Sequence, residues 1–319
     1  MELSVRRGKL QWQRASGGWP DLDRFAALAG AIALCAWVAS AWMASATLDE
    51  RAAATQGSVK GEETGERPQQ GTEYIAAGYV GAPYTHPSDV KFSKPGVTDL
   101  TAHGVRWEGK PFKSPIYYGI RTMAWGRAGT LGAMLDFTHS KAISQRGQEV
   151  KFSGKRNGQP MPGSATIGDT FRHFEFSHGH NMLTANGLVR LASIVPGLAP
   201  YLGAGVGVAL PHTEIQFAGD SGRTYEYQYV GPAAQALIGL ELKLPRISLF
   251  VEYKFSIARY HAPLTNRDGG WFPEDFWHQL VTAWRGEIPS DGYLSTTLAS
   301  HQVVSGAGYR WSLGTTPAK

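Results

Sequence analysis

Cysteine is nearly missing from this sequence. The one thiol in 319 residues, Cys35, sits inside an apolar N-terminal run. A chain with no second cysteine forms no internal disulfide and has no paired-thiol chemistry. Charge is scarce too, at 18% Asp, Glu, Lys and Arg. The formal net charge is +5 and the pI about 9.2. Six of the basic residues (Arg6, Arg7, Lys9, Arg14, Arg24, Arg51) come before residue 52. No basic run or recognition motif accompanies the pI, so it does not point to nucleic acid. A mean hydropathy of −0.25 excludes a polytopic helical membrane protein. Also missing are the GxSxG elbow, the P-loop and the dinucleotide fingerprint, each of which would announce a known chemistry.

Glycine and aromatics are plentiful: 39 Gly, and 11% Phe, Trp and Tyr. That mixture suits a β-barrel, in which only every second strand residue is apolar. A soluble β-sandwich shares the composition, so composition alone does not decide.

The N-terminus reads as an export segment. Residues 1–24 are basic and polar, residues 25–46 are apolar, and the run ends Ala44-Ser45-Ala46. Basic, apolar and small-x-small is the pattern of a secretory signal, here 1–46. An uncleaved inner-membrane helix is the competing reading. A lipoprotein is not, because Leu34 precedes Cys35 where a small residue is needed. Residues 47–72 are polar and read as a disordered linker. The expected barrel is 73–313, with a tail at 314–319.

From residue 73 the hydrophobic period becomes two. Ile247, Leu249, Val251, Tyr253, Phe255 and Ile257 share one parity; Ser248, Glu252, Lys254 and Ser256 share the other. Successive strand side chains point to opposite faces, so one face is greasy and one polar. Eight segments behave this way: 73–85, 115–126, 130–143, 181–194, 199–214, 226–243, 246–260 and 297–312. Most exceed the roughly 9–11 residues that a tilted strand needs to cross a bilayer. The connections alternate in length. Residues 127–129, 195–198 and 244–245 are short; 86–114, 144–180, 215–225 and 261–296 are long. Short periplasmic turns and long outer loops are the habit of transmembrane barrels. The expectation is therefore all-β: an eight-stranded antiparallel transmembrane β-barrel with long extracellular loops and an N-terminal signal helix. It would be a monomer, inserted in the outer membrane by the barrel assembly machinery.

The non-lipid parity carries Arg121, Asp136, Arg190, Glu241, Lys243, Glu252, Lys254 and Arg310. Arg or Lys facing lipid at the midplane costs about 2–4 kcal/mol. An eight-stranded barrel is only wide enough for side chains to fill. Paired charges plugging the lumen are expected, not a pore.

Ten histidines (His86, His103, His139, His173, His178, His180, His212, His261, His278, His301) all avoid the predicted periplasmic turns. Neutral imidazole is a common metal ligand and a ready acid or base. The densest stretch is His173-Phe174-Glu175-Phe176-Ser177-His178-Gly179-His180. His178, His180 and Glu175 are the candidate ligands of a divalent metal ion. Polar loop contacts explain the same residues without a metal. His139 closes a strand that also carries Asp136; parity puts Asp136 inside and His139 near the outer rim. His103 and Glu108 stand together in the first long loop. These four are the candidate catalytic residues. In the last long loop, Phe276, Trp277, Leu280, Val281 and Trp284 follow helical spacing behind Pro273 and Glu274. An amphipathic helix on the outer leaflet or over the barrel mouth is expected.

The segments Trp107-Glu108-Gly109-Lys110-Pro111-Phe112 and Pro115-Ile116-Tyr117-Tyr118-Gly119-Ile120-Arg121 resemble the lipid A oxidases of rhizobial outer membranes. So do Leu135-Asp136-Phe137-Thr138-His139-Ser140-Lys141, the stretch from His180-Asn181 to Asn186, Val251-Glu252-Tyr253-Lys254-Phe255-Ser256, and the ending His301-Gln302-Val303-Val304 through Gly308-Tyr309-Arg310-Trp311, the last two being shared broadly among small barrels. The similarity spans about 73–312 and is most specific in the first two segments. It implies oxidation of the proximal glucosamine of lipid A to 2-aminogluconate by O2. Hydrogen peroxide would be the by-product, a divalent metal ion the helper, and lipopolysaccharide the partner. It assigns no catalytic residues. The basic N-terminal extension and the Trp-rich last loop are longer than the family pattern. Two other functions fit the residues: a lipid A deacylase or acyltransferase using a loop His with Ser and a carboxylate, and a structural barrel with no activity.

Overall fold

The computed structural model describes residues 2–6, 9–13 and 71–313. Most of the export segment, the linker up to residue 70 and the tail lie outside the described residues. Strands β1 (Glu2–Arg6) and β2 (Lys9–Gln13) pair as a hairpin. Then follow β3 (Thr72–Thr85), β4 (Ser88–Lys94), β5 (Thr98–Val105), β6 (Trp107–Glu108), β7 (Tyr118–Trp125) and β8 (Leu131–Ser144). After these come β9 (Glu149–Arg156), β10 (Gln159–Pro160), β11 (Ser164–Thr166), helix α1 (Ile167–Thr170) and β12 (Phe171–Arg190). The rest are β13 (Leu198–Ala209), β14 (His212–Phe217), β15 (Thr224–Tyr227), β16 (Gly231–Lys243), β17 (Ile247–Pro263), helix α2 (Phe272–Arg285) and β18 (Tyr293–Leu313).

Eight of these form a closed antiparallel ring: β3, β7, β8, β12, β13, β16, β17 and β18, with β18 returning to β3. Closure removes the sheet edges, so every backbone group at membrane depth pairs within the wall. Val80, Ile120, Leu135, Leu202, Val206, Ile238, Leu249, Val251 and Val303 stay exposed on the outside, alternating with buried neighbours. Tyr74, Trp311 and Tyr309 stack on one another at the end where the ring strands have short turns. Tyr84, Tyr118 and Tyr253 are exposed toward the other end. An exposed apolar belt with aromatics at both borders is a lipid-facing surface. The chain is an outer-membrane β-barrel.

The lumen is filled by ion pairs. Arg121 lies 3.1 Å from Asp136 and 2.8 Å from Glu252, and Lys254 lies 2.9 Å from Asp136. Toward the short turns, Arg190 lies 2.8 Å from both Glu241 and Glu73. Glu73 also meets Arg310 at 3.6 Å. Thus Glu73 is a fourth interior carboxylate that the parity reading left out. Lys243, by contrast, is only half-buried at the end of its strand. Tyr79 bonds Asp136 and Thr138. Its ring needs Gly119, where an added Cβ would fall 1.8 Å from the tyrosine Cζ.

The long connections differ most from the sequence reading. They are not plain loops but extend the wall beyond the lipid-facing belt. β4, β5 and β9 pair side by side, with β4 on β18 and β10 and β11 on β9. β14 and β15 form a hairpin on the upper part of β12. Phe92, Leu100, Trp107, Phe171, Phe174, Phe176, Ile215 and Phe217 fill the inside of this extension with an apolar core. Hydrophobic packing inside tall strands explains why β12 begins at 171 and not 181, and β18 at 293 and not 297. The segment expected as one strand at 226–243 breaks at 228–230, and 199–214 breaks at 210–211.

Candidate site on the outer wall

Cross-strand pairing lines up a row of side chains on the outer face. Glu108 pairs with Ile143, Ile143 with Glu175, Glu175 with Glu214, and Glu214 with Tyr225. Directly opposite residues share a face, about 4.8 Å apart per strand. Two carboxylates, Glu175 and Glu214, are therefore neighbours in this row. His173, two residues from Glu175 on the same strand face, places Nδ1 3.0 Å from Glu214 and 3.7 Å from Glu175. One ligand atom from each of His173, Glu175 and Glu214 lies within 4.8 Å of the others. An imidazole and two carboxylates at this spacing fit a divalent transition ion. Arg223 at 3.2 Å and His178 at 3.8 Å also approach Glu214. Burial, then the Glu175 charge, raises the Glu214 pKa against the pull of His173 and Arg223. His173 and Arg223 also line an open polar hollow of about 410 Å³ with Gln216, Ser221, Asn266 and Asp268. Hollows of this size suit small ligands.

A second row lies nearer the membrane: Tyr118, His139 and Asn181. His139 stands eight residues beyond Leu131. At about 3.3 Å per residue and 40° of tilt this is about 20 Å, against an apolar band about 25 Å tall. His139 is thus in the outer part of that band, about 5 Å short of its border. Its ring stacks on Tyr118 with centroids 4.7 Å apart. Nδ1 lies 2.8 Å from Asn181 Oδ1, while Asn181 Nδ2 donates to the Leu210 carbonyl. The second bond fixes the amide, so its oxygen faces the imidazole. Nδ1 then carries the proton and donates it. Nε2 is left with a lone pair, is buried, and has no hydrogen-bond partner among the described residues. A buried imidazole lone pair without a donor is open to accept a proton.

The candidates from the sequence separate. Asp136 is inside the lumen, on the opposite side of the wall from His139, and serves the ion network. Glu175 joins the carboxylate pair. His178 stays outside, exposed beside Glu214 and 5.0 Å from the His212 ring. His180 does not join it: the ring is fully buried and bonds Tyr260. The register slips between Phe176 and His180, and Gly179 takes φ 145°, so the two histidines lose their shared parity. A bulge of this kind re-aims side chains. Glu108 pairs with Lys110 at 2.7 Å and stands about 10 Å along the upper row from Glu175. His103 lies on another sheet region, with Nδ1 3.1 Å from Asp89 and Nε2 2.8 Å from Ser153. The Gly104 N–H and His103 lower the Asp89 pKa.

The sequence reading missed His173 and Glu214 as partners of Glu175, and Asn181 as the orienting group of His139. The i, i+2 spacing of His173 and Glu175 was a usable signal. Glu214 and Asn181 were not readable, because strand register alone brings them in. His212 was also left unplaced. It lies between Tyr225 and Tyr227, with centroids 4.3 and 4.6 Å away. Burial, then His178, pushes its pKa down to about 4.

No protein-family model and no curated protein matches the chain. Among solved structures it is similar to Neisserial surface protein A, at 11% identity and TM-score 0.33, covering 76% of this chain and 100% of that one. It is also similar to Ail, the attachment invasion locus protein of Yersinia pestis, solved with the heparin analogue sucrose octasulfate. Identity there is 12%, TM-score 0.30, and coverage 76% and 99%. The outer membrane protease OmpT of Escherichia coli gives 9% identity, TM-score 0.33, and coverage of 79% and 99%. Likenesses this distant say nothing about activity. The barrel assignment rests on the closed ring and its apolar exterior.

Proposed function

We propose that this barrel oxidises the proximal glucosamine of lipid A to 2-aminogluconate, using O2, at the outer wall. The observation that carries the reading is His139. Its imidazole lies on the outward parity of the wall, in the outer part of the apolar band and not in the lumen, where it would serve as a base close to a lipid head group. The sequence resemblance points to the same substrate. The reaction balances with O2 and water as the only co-reactants. A hemiacetal C–H and O–H yield two electrons and two protons to O2, giving a lactone and hydrogen peroxide. Water then opens the lactone, for a net gain of one oxygen on the sugar. His139 Nε2 would take the hydroxyl proton, and Asn181 would hold the ring in that tautomer. Arg223, Asn266 and Asp268 line the hollow that would hold polar parts of the head group. His173, Glu175 and Glu214 would hold a divalent metal ion, which would supply a route for electrons to O2. The deciding comparison is the lipid A mass spectrum of a deletion strain against its parent. Loss of a species heavier by one oxygen is expected; identical spectra would sink the reading.

The metal assignment is tested separately by calorimetric titration of Mn²⁺ into the purified barrel. One site is expected. Glu214→Gln and His173→Ala should each weaken it by more than the roughly tenfold that loss of an outer-shell partner already costs. His180→Ala should leave it unchanged. Equal binding by all variants would remove the ion from this place.

A second reading has its own observation. Ser153, His103 and Asp89 are linked in the order hydroxyl, imidazole, carboxylate, which is the geometry of a hydrolytic triad. They stand exposed on β9, β5 and β4. The same mass spectra distinguish this case, since a deacylase changes the acyl chain count and leaves the sugar oxygen count alone.

A further inference from the structure

Helix α2 carries three different faces. Phe276, like Leu183 and Leu210, packs against Val208 and Tyr229, so this side is held against the outside of the barrel wall. Gln279 fastens it by accepting from the Tyr229 N–H at 2.9 Å and donating to the Tyr229 carbonyl at 2.8 Å. Asp275 is fully buried; it accepts from the Tyr227 N–H at 3.0 Å and from Arg267. A second face is polar, with Glu274, His278, Thr282 and Arg285. The third is apolar and open. Trp277 and Trp284 are 64% and 71% exposed, with Leu280 between them at helical spacing. Trp271 and Ile288, just beyond the two ends, are 67% exposed each.

Such a stripe has one continuous neighbour. Leu183 and Val208 belong to the outward parity of β12 and β13, which is the lipid-facing belt described above. The helix therefore rests on the upper margin of that belt, between the Asn181 level, where the Leu210 N–H bonds the Asn181 carbonyl, and Leu183, two residues nearer the short turns. Tryptophan is the side chain that settles at a membrane interface, with an apolar ring and an N–H to hydrate. The water-facing side carries the charges, as an interfacial helix requires.

We infer that α2 lies in the outer leaflet as an interfacial anchor, with Trp277 and Trp284 among the lipid chains just below the head groups. The lipid surface is the partner, and the helix binds it whether or not the barrel oxidises anything. A helix so placed borders the His139 wall on the β12–β13 side, while Lys113, whose carbonyl accepts from Lys141 Nζ, borders it on the β7–β8 side. A lipid approaching His139 would pass between them.

The test uses the full chain with Cys35→Ser, and one new cysteine at a time: Trp277→Cys, Trp284→Cys or His278→Cys. Each carries a nitroxide, and the barrel is reconstituted in phosphatidylethanolamine–phosphatidylglycerol vesicles. Collision rates with oxygen and with a water-soluble nickel chelate are then measured. At 277 and 284 the chelate rate should be several-fold below that at 278, and the oxygen rate above it. Equal chelate access at all three sites would overturn the anchor. A second measurement avoids the label. Vesicles with brominated acyl chains quench tryptophan emission, and Trp277→Phe with Trp284→Phe should remove a distinct part of that quenching. No change in the quenched fraction would overturn the proposal as well.

Discussion

Asp136→Ala should destabilise the barrel by about 3–5 kcal/mol, the usual consequence of breaking a buried ion pair. The carboxylate accepts from Lys254, Arg121, Tyr79 and Gln235, all of them buried. Removing it leaves the Lys254 ammonium with only hydroxyl acceptors, Tyr79 and Thr138. Arg121 keeps Glu252 and loses less. The cost is that of an uncompensated buried charge, not of the pair itself. Hence Lys254→Met added to Asp136→Ala should recover a large part of the loss. Urea unfolding in phospholipid vesicles reads both effects. An unchanged midpoint in the single variant would mean that water enters the lumen and screens the charges. Any oxidation by the surviving folded fraction should stay normal, because Asp136 faces away from His139.

His139→Ala should lower lipid A oxidation by about 10²- to 10⁴-fold, the range that a positioned general base contributes. Asn181→Leu should fall in the same direction. Without the Oδ1 acceptor nothing holds the Nδ1 proton, and the base then populates the wrong tautomer. The two effects should not add, since both act through one nitrogen. Hydrogen peroxide release from lipid A, measured on variants checked for folding, separates chemistry from stability. If His139→Ala turns over at the parent rate, the outer-wall base is not used and the reading falls with it. His180→Ala is the control: its imidazole is near in sequence but turned into the apolar core.

Much of the fold was legible in the chain, for a local reason. A strand alternates its faces residue by residue, so Ile247 through Ile257 declare a lipid side and a lumen side without any knowledge of neighbours. Short turns at 127–129, 195–198 and 244–245 then orient the ring. The same logic predicted the interior charges, and Arg121, Asp136, Arg190, Glu241, Glu252 and Lys254 do sit there. It missed Glu73 because that residue lies at the very start of a strand, where parity is hard to anchor. It also treated the outer segments as loops. Their strands, such as Val90-Lys91-Phe92 and Val150-Lys151-Phe152, are short and bury apolar residues against distant partners, so their period is weak on its own.

The candidate site was legible only in part. Residue type and strand parity marked His139 as an outer-rim imidazole and Glu175 as a candidate ligand. They also grouped His178 with His180, and Asp136 and Glu108 with His139. A single bulge at Gly179 and the two-sidedness of the wall undid those groupings.

The sequence by itself determined the alternation and the ring of eight segments, because these depend on backbone period and turn length. The tertiary structure decided which side chains meet. Glu214 reaches Glu175, and Asn181 reaches His139, across strand pairs whose register is set by the whole closed barrel. Register is a collective property: one slipped residue would turn each of these groups to the other face.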